Sequence, residues 1–392
     1  MKQELLILLL SLLLLITACQ HTENGTPPPV NEEPVENGEA ESTEPSLYTE
    51  LGIPLAQKYP KGDPARCAWD MAIHAGGIFL GSGDYDKNRG PAEIWRYDIA
   101  SSTFAQSAVL PDEEINEFCF IYGNLATPGI DPKEEWDLGN YYVYENGEWV
   151  KRRVLPGGIH CFDIIEYEGL IFAGMGVLAG ESPIAFSSDA GESFTQLPLY
   201  KNGMRLDTTG REYIRVYDFF IYNEELYAFI YFSDEPKLIE IYRYDYDEDA
   251  FFFEADWKDQ FERRAYKYDF IGEKLVFDGK LYFTTGYLYE TTDMQTLTRI
   301  DFPSNAVICD LYVANDTMYV LSATKDAESG MLKTTVHALK AGDAEFTEVF
   351  SFLYDVPPMS MVVNGDDFYI GMGNGKSAHE KNGMLLYIPS PQ

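Results

Sequence analysis

Basic residues are scarce in this chain. Its 392 residues carry 29 Lys and Arg against 64 Asp and Glu, a formal charge of −35 at pH 7. That balance excludes a nucleic-acid partner, whose capture rests on clustered cations against phosphates. It also argues against the folded part lying flat on anionic lipid. Histidines number five, and no cysteine pair has a CxxC spacing, so the common zinc patterns are missing. A GxSxG elbow, HExxH, a P-loop and a complete GxGxxG are all absent. No serine or cysteine has a sequence-evident partner for nucleophilic catalysis. Sustained helical periodicity is lacking beyond the first twenty residues, which leaves an all-β chain.

What the chain does have is a repeat. An acidic residue is followed nine positions later by an aromatic, as in Asp70 to Phe79, Asp163 to Phe172, Asp218 to Tyr227, Glu273 to Tyr282 and Asp310 to Tyr319. An apolar strand, a Gly, Asn or Asp turn and a second strand lie between the two anchors. Weaker copies surround Tyr122 and residues 363–371. First strands beginning near residues 68, 116, 161, 216, 271, 308 and 359 are roughly 37 to 55 residues apart, enough for four strands each. Aromatic-rich outer hairpins such as the one over 141–149 supply the second pair. One such unit cannot bury its own apolar face, so the pattern predicts a β-propeller of four-stranded blades over residues 48–392. Seven copies predict seven blades, with six or eight as alternatives. The last copy lacks an outermost strand, and residues 48–55 are expected to supply it and so close the ring.

The first residues predict an address. An apolar run over residues 5–16 follows Lys2 and ends in Ile16-Thr-Ala-Cys19. It is too short to span a bilayer comfortably and has the length of a signal-peptide core. The ending resembles the lipobox of bacterial lipoproteins. That resemblance implies a signal peptide over 1–18, lipidation of Cys19, and an extracytoplasmic protein held at the cell membrane or outer membrane through acyl chains. Residues 19–47 alternate proline with glutamate, contain no Lys or Arg, and read as an extended tether.

Cys67, Cys119, Cys161 and Cys309 fall near the starts of innermost strands. Small buried hydrophobes are the favoured reading, with Cys67–Cys119 or Cys119–Cys161 disulfides as the alternative. In the third copy Ser187, Asp189, Gly191 and Phe194 fall in the order Ser-x-Asp-x-Gly-x-x-aromatic. This resembles the Asp-box (BNR) turn of sialidase-type propellers and implies a structural turn in which the Asp binds backbone amides. The order of motifs also resembles uncharacterised bacterial propeller lipoproteins. The chain lacks the x-Arg-Ile-Pro motif of sialidases and is not a typical member.

Candidate site residues divide into repeated and asymmetric ones. The acids Asp70, Asp163, Asp218, Glu273 and Asp310 are expected near one channel mouth, as staples to the next blade or as a carboxylate ring for a cation. The staple is favoured, because a residue present in most blades is scaffold more often than site. Arg66, Asp84, Arg89, Asp131, Glu134, Trp136, His160 and Arg215 are expected on one rim, where arginine forks, carboxylates and an aromatic suit sugar or carboxylate recognition. Asp84, Asp86 and Asn88 alternate like a calcium loop but lack its Gly and Glu positions, so polar turn chemistry is the favoured reading, no cofactor is predicted, and a weak calcium site is the alternative. The expected function is a surface-anchored module that binds a glycan or an envelope protein, monomeric and without turnover. The alternative is a glycoside hydrolase or lyase of sialidase-like shape using rim carboxylates such as Asp84 and Asp131.

Overall fold

The computed structural model describes residues 47–390, apart from 179, 210–212, 233–238, 258, 263–271 and 303–304. The expected leader, Cys19 and the tether up to residue 46 lie outside the described residues. Residues 46–392 form one compact unit.

Strands dominate because the innermost hairpins pair in the register the repeat predicts. In the first sheet Met71–His74 and Gly77–Leu80 are joined through Ala75 and Gly76, both at positive φ, the left-handed pair a two-residue hairpin turn needs. Ala92–Asp98 and Thr103–Leu110 complete that sheet in sequence order. The second sheet is built the same way from Cys119–Ile121, Asn124–Pro128, Leu138–Glu145 and Glu148–Pro156. A fourth runs from Lys274–Phe277 to Thr298–Ile300, and a fifth from Val307–Ala314 to Thr347–Tyr354. The last contains Pro358–Asn364, Asp367–Met372 and Met384–Ile388, and its outermost strand is Thr49–Gly52. The pairing Thr49↔Tyr387 ties the two ends of the ring together, as the missing strand predicts.

The expectation of seven separate blades is corrected here. Among the described residues five four-stranded sheets stand alone, and the third in order is a ten-stranded sheet. It holds one run from His160–Tyr167 to Thr195–Gln196 and a second from Tyr213–Tyr222 to Ala250–Asp256. They fuse where Gly176 pairs with Arg215 and Val177 with Ile214. The cause is local. A Cβ on Gly174 would sit 2.8 Å from Val216 Cγ1, and one on Gly176 would sit 2.8 Å from His160 Cδ2. Bare backbone at 174 therefore lets one repeat's second strand approach the next repeat's first, while bare backbone at 176 makes room for His160 of its own repeat. A short hairpin, Leu199–Lys201 with Met204–Arg205, adds to the sheet through parallel pairing with Ala250–Asp256.

The core lies between the faces of neighbouring sheets rather than inside any one. Phe79 and Ile94 meet Leu125 and Tyr142 between the first and second sheets. Ala68 and Ile78 meet Val362 and Leu385 between the last and the first. Each sheet thus buries both faces, and the arrangement is a β-propeller of small four-stranded sheets. Among the described residues no helix is long and apolar enough to cross a membrane.

Candidate functional site

Asp163, Asp218 and Asp310 stand where the innermost strands bulge, while Asp70 and Glu273 lie just before their own strands. Pairing register shifts between Cys161 and Asp163, Val216 and Asp218, Ile308 and Asp310, and Pro358 and Ser360. A bulge re-aims the side chain that follows it, and these side chains turn toward the neighbouring repeat. Asp70 Oδ2 accepts the Phe118 N–H at 2.6 Å, Asp163 Oδ2 that of Phe219 at 2.6 Å, and Asp310 Oδ2 that of Met361 at 2.5 Å. At the ring closure Ser360 Oγ donates to the Ala68 carbonyl at 2.8 Å.

Asp218 departs from this pattern. Its Oδ1 lies 2.6 Å from Lys274 Nζ, which also reaches Glu117 Oε1 at 2.8 Å and Asp163 Oδ2 at 3.4 Å. One ammonium, its side chain only 13 % exposed, therefore joins carboxylates from the second sheet and from both runs of the ten-stranded sheet to the fourth. Oxygens of Glu117, Asp163 and Asp218 lie within 4.8 Å of one another, a separation a metal ion would accept, but Lys274 holds that place. Burial pushes the Asp218 carboxyl up to about 7, Lys274 opposes that rise and Asp163 adds to it. Glu117 is raised well above its ordinary range by burial and then by Asp163. Burial pulls Lys274 down, but its three carboxylates outweigh it and hold the ammonium charged.

Glu117 and Lys274 were missed by the sequence reading, although a signal exists for each. Glu117 precedes Phe118 just as Asp70 precedes Met71, which makes it the second repeat's anchor acid. The residue after the anchor is Met71, Phe118, Ile164, Phe219, Lys274, Leu311 or Met361. Lys274 is the charged exception in a row of apolar residues.

The rim candidates do not all converge. Isolated bridges run Gly83↔Glu114, Glu114↔Ile130 and Ile130↔His160 across the loops of the first two sheets to the ten-stranded one. His160 Nδ1 lies 2.6 Å from Asp131 Oδ1, close but out of line for a straight hydrogen bond. Asp131, at φ 54, is fixed by its N–H to the Ile159 carbonyl at 3.2 Å. The imidazole stacks on Phe162 with centroids 5.4 Å apart, Tyr85 meets its edge at 6.3 Å, and the Arg215 guanidinium sits 5.5 Å from the Phe162 ring centroid. Asp131, His160 and Arg215 are thus one cluster, and Asp84 lies at its border.

The remaining candidates are held elsewhere. Arg66 is buried and donates to the carbonyls of His379 and Glu380. Arg89 pairs with Asp63 at 2.9 Å. Glu134 pairs with Lys151 and Arg153, and Trp136 is exposed. The Asp84 carboxylate caps a 3-10 turn over Tyr85–Lys87 and binds the Lys87 ammonium at 2.8 Å, while Asn88 ends that turn at φ 53. Asp86 is exposed on the same turn.

Next to the cluster is an acidic run that the sequence reading also passed over. Asp112, Glu113 and Glu114 are consecutive and buried. Asp112 receives Asn140 Nδ2 at 3.2 Å and the Tyr142 hydroxyl, and burial raises it to about 6. Glu113 takes the Lys133 ammonium. Glu114 accepts the Tyr85 N–H at 3.0 Å, and burial pushes it up to about 8 with Asp84, Asp86 and Asp131 nearby.

Cys67, Cys119, Cys161 and Cys309 are all free thiols. Around Asp189 a compact turn forms: Ser187 Oγ donates to Asp189 Oδ1 at 2.7 Å and accepts from the Gly191 N–H at 2.9 Å. Asp189 takes the Ser193 N–H at 2.9 Å, and Phe194 packs edge-on against Tyr141. Thr291 and Asp293 build a related turn, Asp293 Oδ1 accepting from Gln295 and Thr296.

No protein-family model matches this sequence, and no curated protein matches it. Among solved structures the chain is similar to a putative 6-phosphogluconolactonase from Bacteroides fragilis. Identity is 10 %, coverage is 76 % of this chain and 88 % of that one, and the TM-score is 0.47. It is also similar to a puromycin hydrolase variant complexed with PGG, at 11 % identity and a TM-score of 0.48. That match covers 79 % of this chain and spans about half, 51 %, of the hydrolase.

Proposed function

We propose that this protein is a lipid-anchored, extracytoplasmic β-propeller that binds a glycan at the bacterial cell surface. Its ligand seat is the mouth lined by Asp131, His160 and Arg215. The observation carrying the reading is the Asp131–His160 contact of 2.6 Å beside the Phe162–Arg215 stack. It brings a carboxylate, an imidazole, a guanidinium and an aromatic face together at side chains only 18 % and 19 % exposed for Asp131 and His160. Hydroxyl-bearing rings are recognised by such mixtures of polar forks and flat apolar faces. A hydrolase built on Asp84 and Asp131 is the weaker reading, since Lys87 and His160 already engage those carboxylates.

The reading carries three finer statements. The ten-stranded sheet carries two fused repeats, so seven repeats share six sheets; of the larger apolar clusters among the described residues, six pack between neighbouring sheets and one between the two fused repeats. The turn over 187–194 is of the Asp-box kind. Cys19 carries the lipid, and the tether holds the propeller clear of the membrane.

The test is native mass spectrometry of the full chain with a mixed library of sialylated, acidic and neutral glycans, each one to six sugar residues long. Intact adducts that vanish in His160→Ala and Arg215→Ala are expected. Shortened glycans would instead establish the hydrolase, and a library returned unbound would redirect the search to a protein partner.

A further inference from the structure

The loop over residues 129–137 runs outward from the mouth. At its base Ile130 bridges Glu114 and His160. At its far end Glu134 pairs with Lys151 and Arg153 of the second sheet's outermost strand. Trp136, five residues beyond Asp131, is 62 % exposed.

A single exposed aromatic is ordinary on a protein surface. What distinguishes Trp136 is how firmly its surroundings are held. The Arg153 guanidinium donates to the Glu135 carbonyl, to Asp137 Oδ1 at 2.6 Å and to the Leu138 carbonyl at 2.6 Å, so one cation brackets the tryptophan from both sides. Lys133 is pinned by its N–H to the Pro111 carbonyl at 2.7 Å and by its ammonium to Glu113. The indole N–H itself points back into the loop, 3.4 Å from the Pro132 carbonyl. The indole face is thus presented with its backbone already ordered, which spares a ligand the cost of ordering it.

We propose that Trp136 is a second ligand subsite and that the ligand is a linear oligosaccharide. One ring stacks on this indole while another occupies the Asp131–His160–Arg215 mouth. The proposal rests on the glycan reading above and adds the ligand's length and direction. Five residues of chain span at most about 18 Å, a gap within the reach of a short oligomer. Linked subsites of this kind raise affinity once a ligand is long enough to engage both.

The same graded library, read as affinity against chain length on the full chain, tests it. Affinity is expected to rise about tenfold between monosaccharides and oligomers that reach both subsites. Trp136→Ala should abolish that rise and leave monosaccharide binding intact, while His160→Ala should weaken ligands of every length. The melting temperature of Trp136→Ala should match the parent, because its side chain supports no core. Binding that is independent of length, or a Trp136→Ala loss equal for short and long glycans, would overturn the second subsite and leave the mouth standing. A library without adducts would overturn both.

Discussion

The centre of the channel and its mouth are both crowded with acids, and they solve the crowding in opposite ways. At the centre Glu117, Asp163 and Asp218 are met by the chain's own ammonium, Lys274. At the mouth Asp131 is met by an imidazole beside Tyr85 and Arg215, with solvent still reaching the pair. An internal cation consumes the charge that would hold a metal or a cationic ligand. A polar cluster left partly open keeps it available. The centre is therefore read as a lock and the mouth as a seat.

The largest effect is expected from Lys274→Met. Removing one partner of a buried ion cluster leaves the others uncompensated and costs about 3–5 kcal/mol. Chemical denaturation should show that loss, with Glu117→Gln/Asp218→Asn in the same background recovering part of it. A Lys274→Met protein as stable as the parent would show the ammonium to be incidental. Next comes Asp310→Ala, which strands the Met361 and Leu311 amides and should cost about 1–3 kcal/mol. A smaller loss at Asp310 than at Lys274 is what separates a backbone staple from the lock.

Much of this was legible in the sequence, and the failures have physical causes. Hairpin register, the acid-to-aromatic spacing and the closing strand at 49–52 all follow from side-chain alternation and turn residues, which are local. The fusion of two repeats was hidden because it depends on bare backbone at Gly174 meeting a strand about forty residues further on. Of the eight rim candidates, Asp131, His160 and Arg215 converge because they enter or leave innermost strands. Arg66 and Arg89 do not, because each found a nearer partner in His379 and Asp63. Glu117 was obscured by the degenerate second copy. Lys274 was readable as the charged member of an apolar position, but only once the repeats were aligned on the residue after the anchor.

Acidity touches both regions at once. Asp112, Glu114 and Asp218 are raised to about 6, 8 and 7, so the folded protein keeps protons that the unfolded chain releases near pH 4. The folded state then binds more protons, and stability falls as pH rises from about 4 to about 8. Below that window the opposite sign takes over, since Glu93 and Glu50, held low by their hydrogen-bond partners against burial, lose those contacts when protonated. The melting temperature should peak near pH 4 and fall by a few degrees by pH 8. Scanning calorimetry across that range decides it, and a curve rising toward pH 8 would refute the assignment of protons to these buried acids.

The smallest effect on stability is expected at the seat, from His160→Ala. The imidazole is partly exposed and its Asp131 contact is poorly aligned, so removing both should cost less than about 1 kcal/mol. Melting within about a degree or two of the parent, together with lost binding, would place function and fold in different residues of the same few strands. A drop as large as that of Asp310→Ala would move His160 into the scaffold and leave Arg215 and Trp136 to carry recognition.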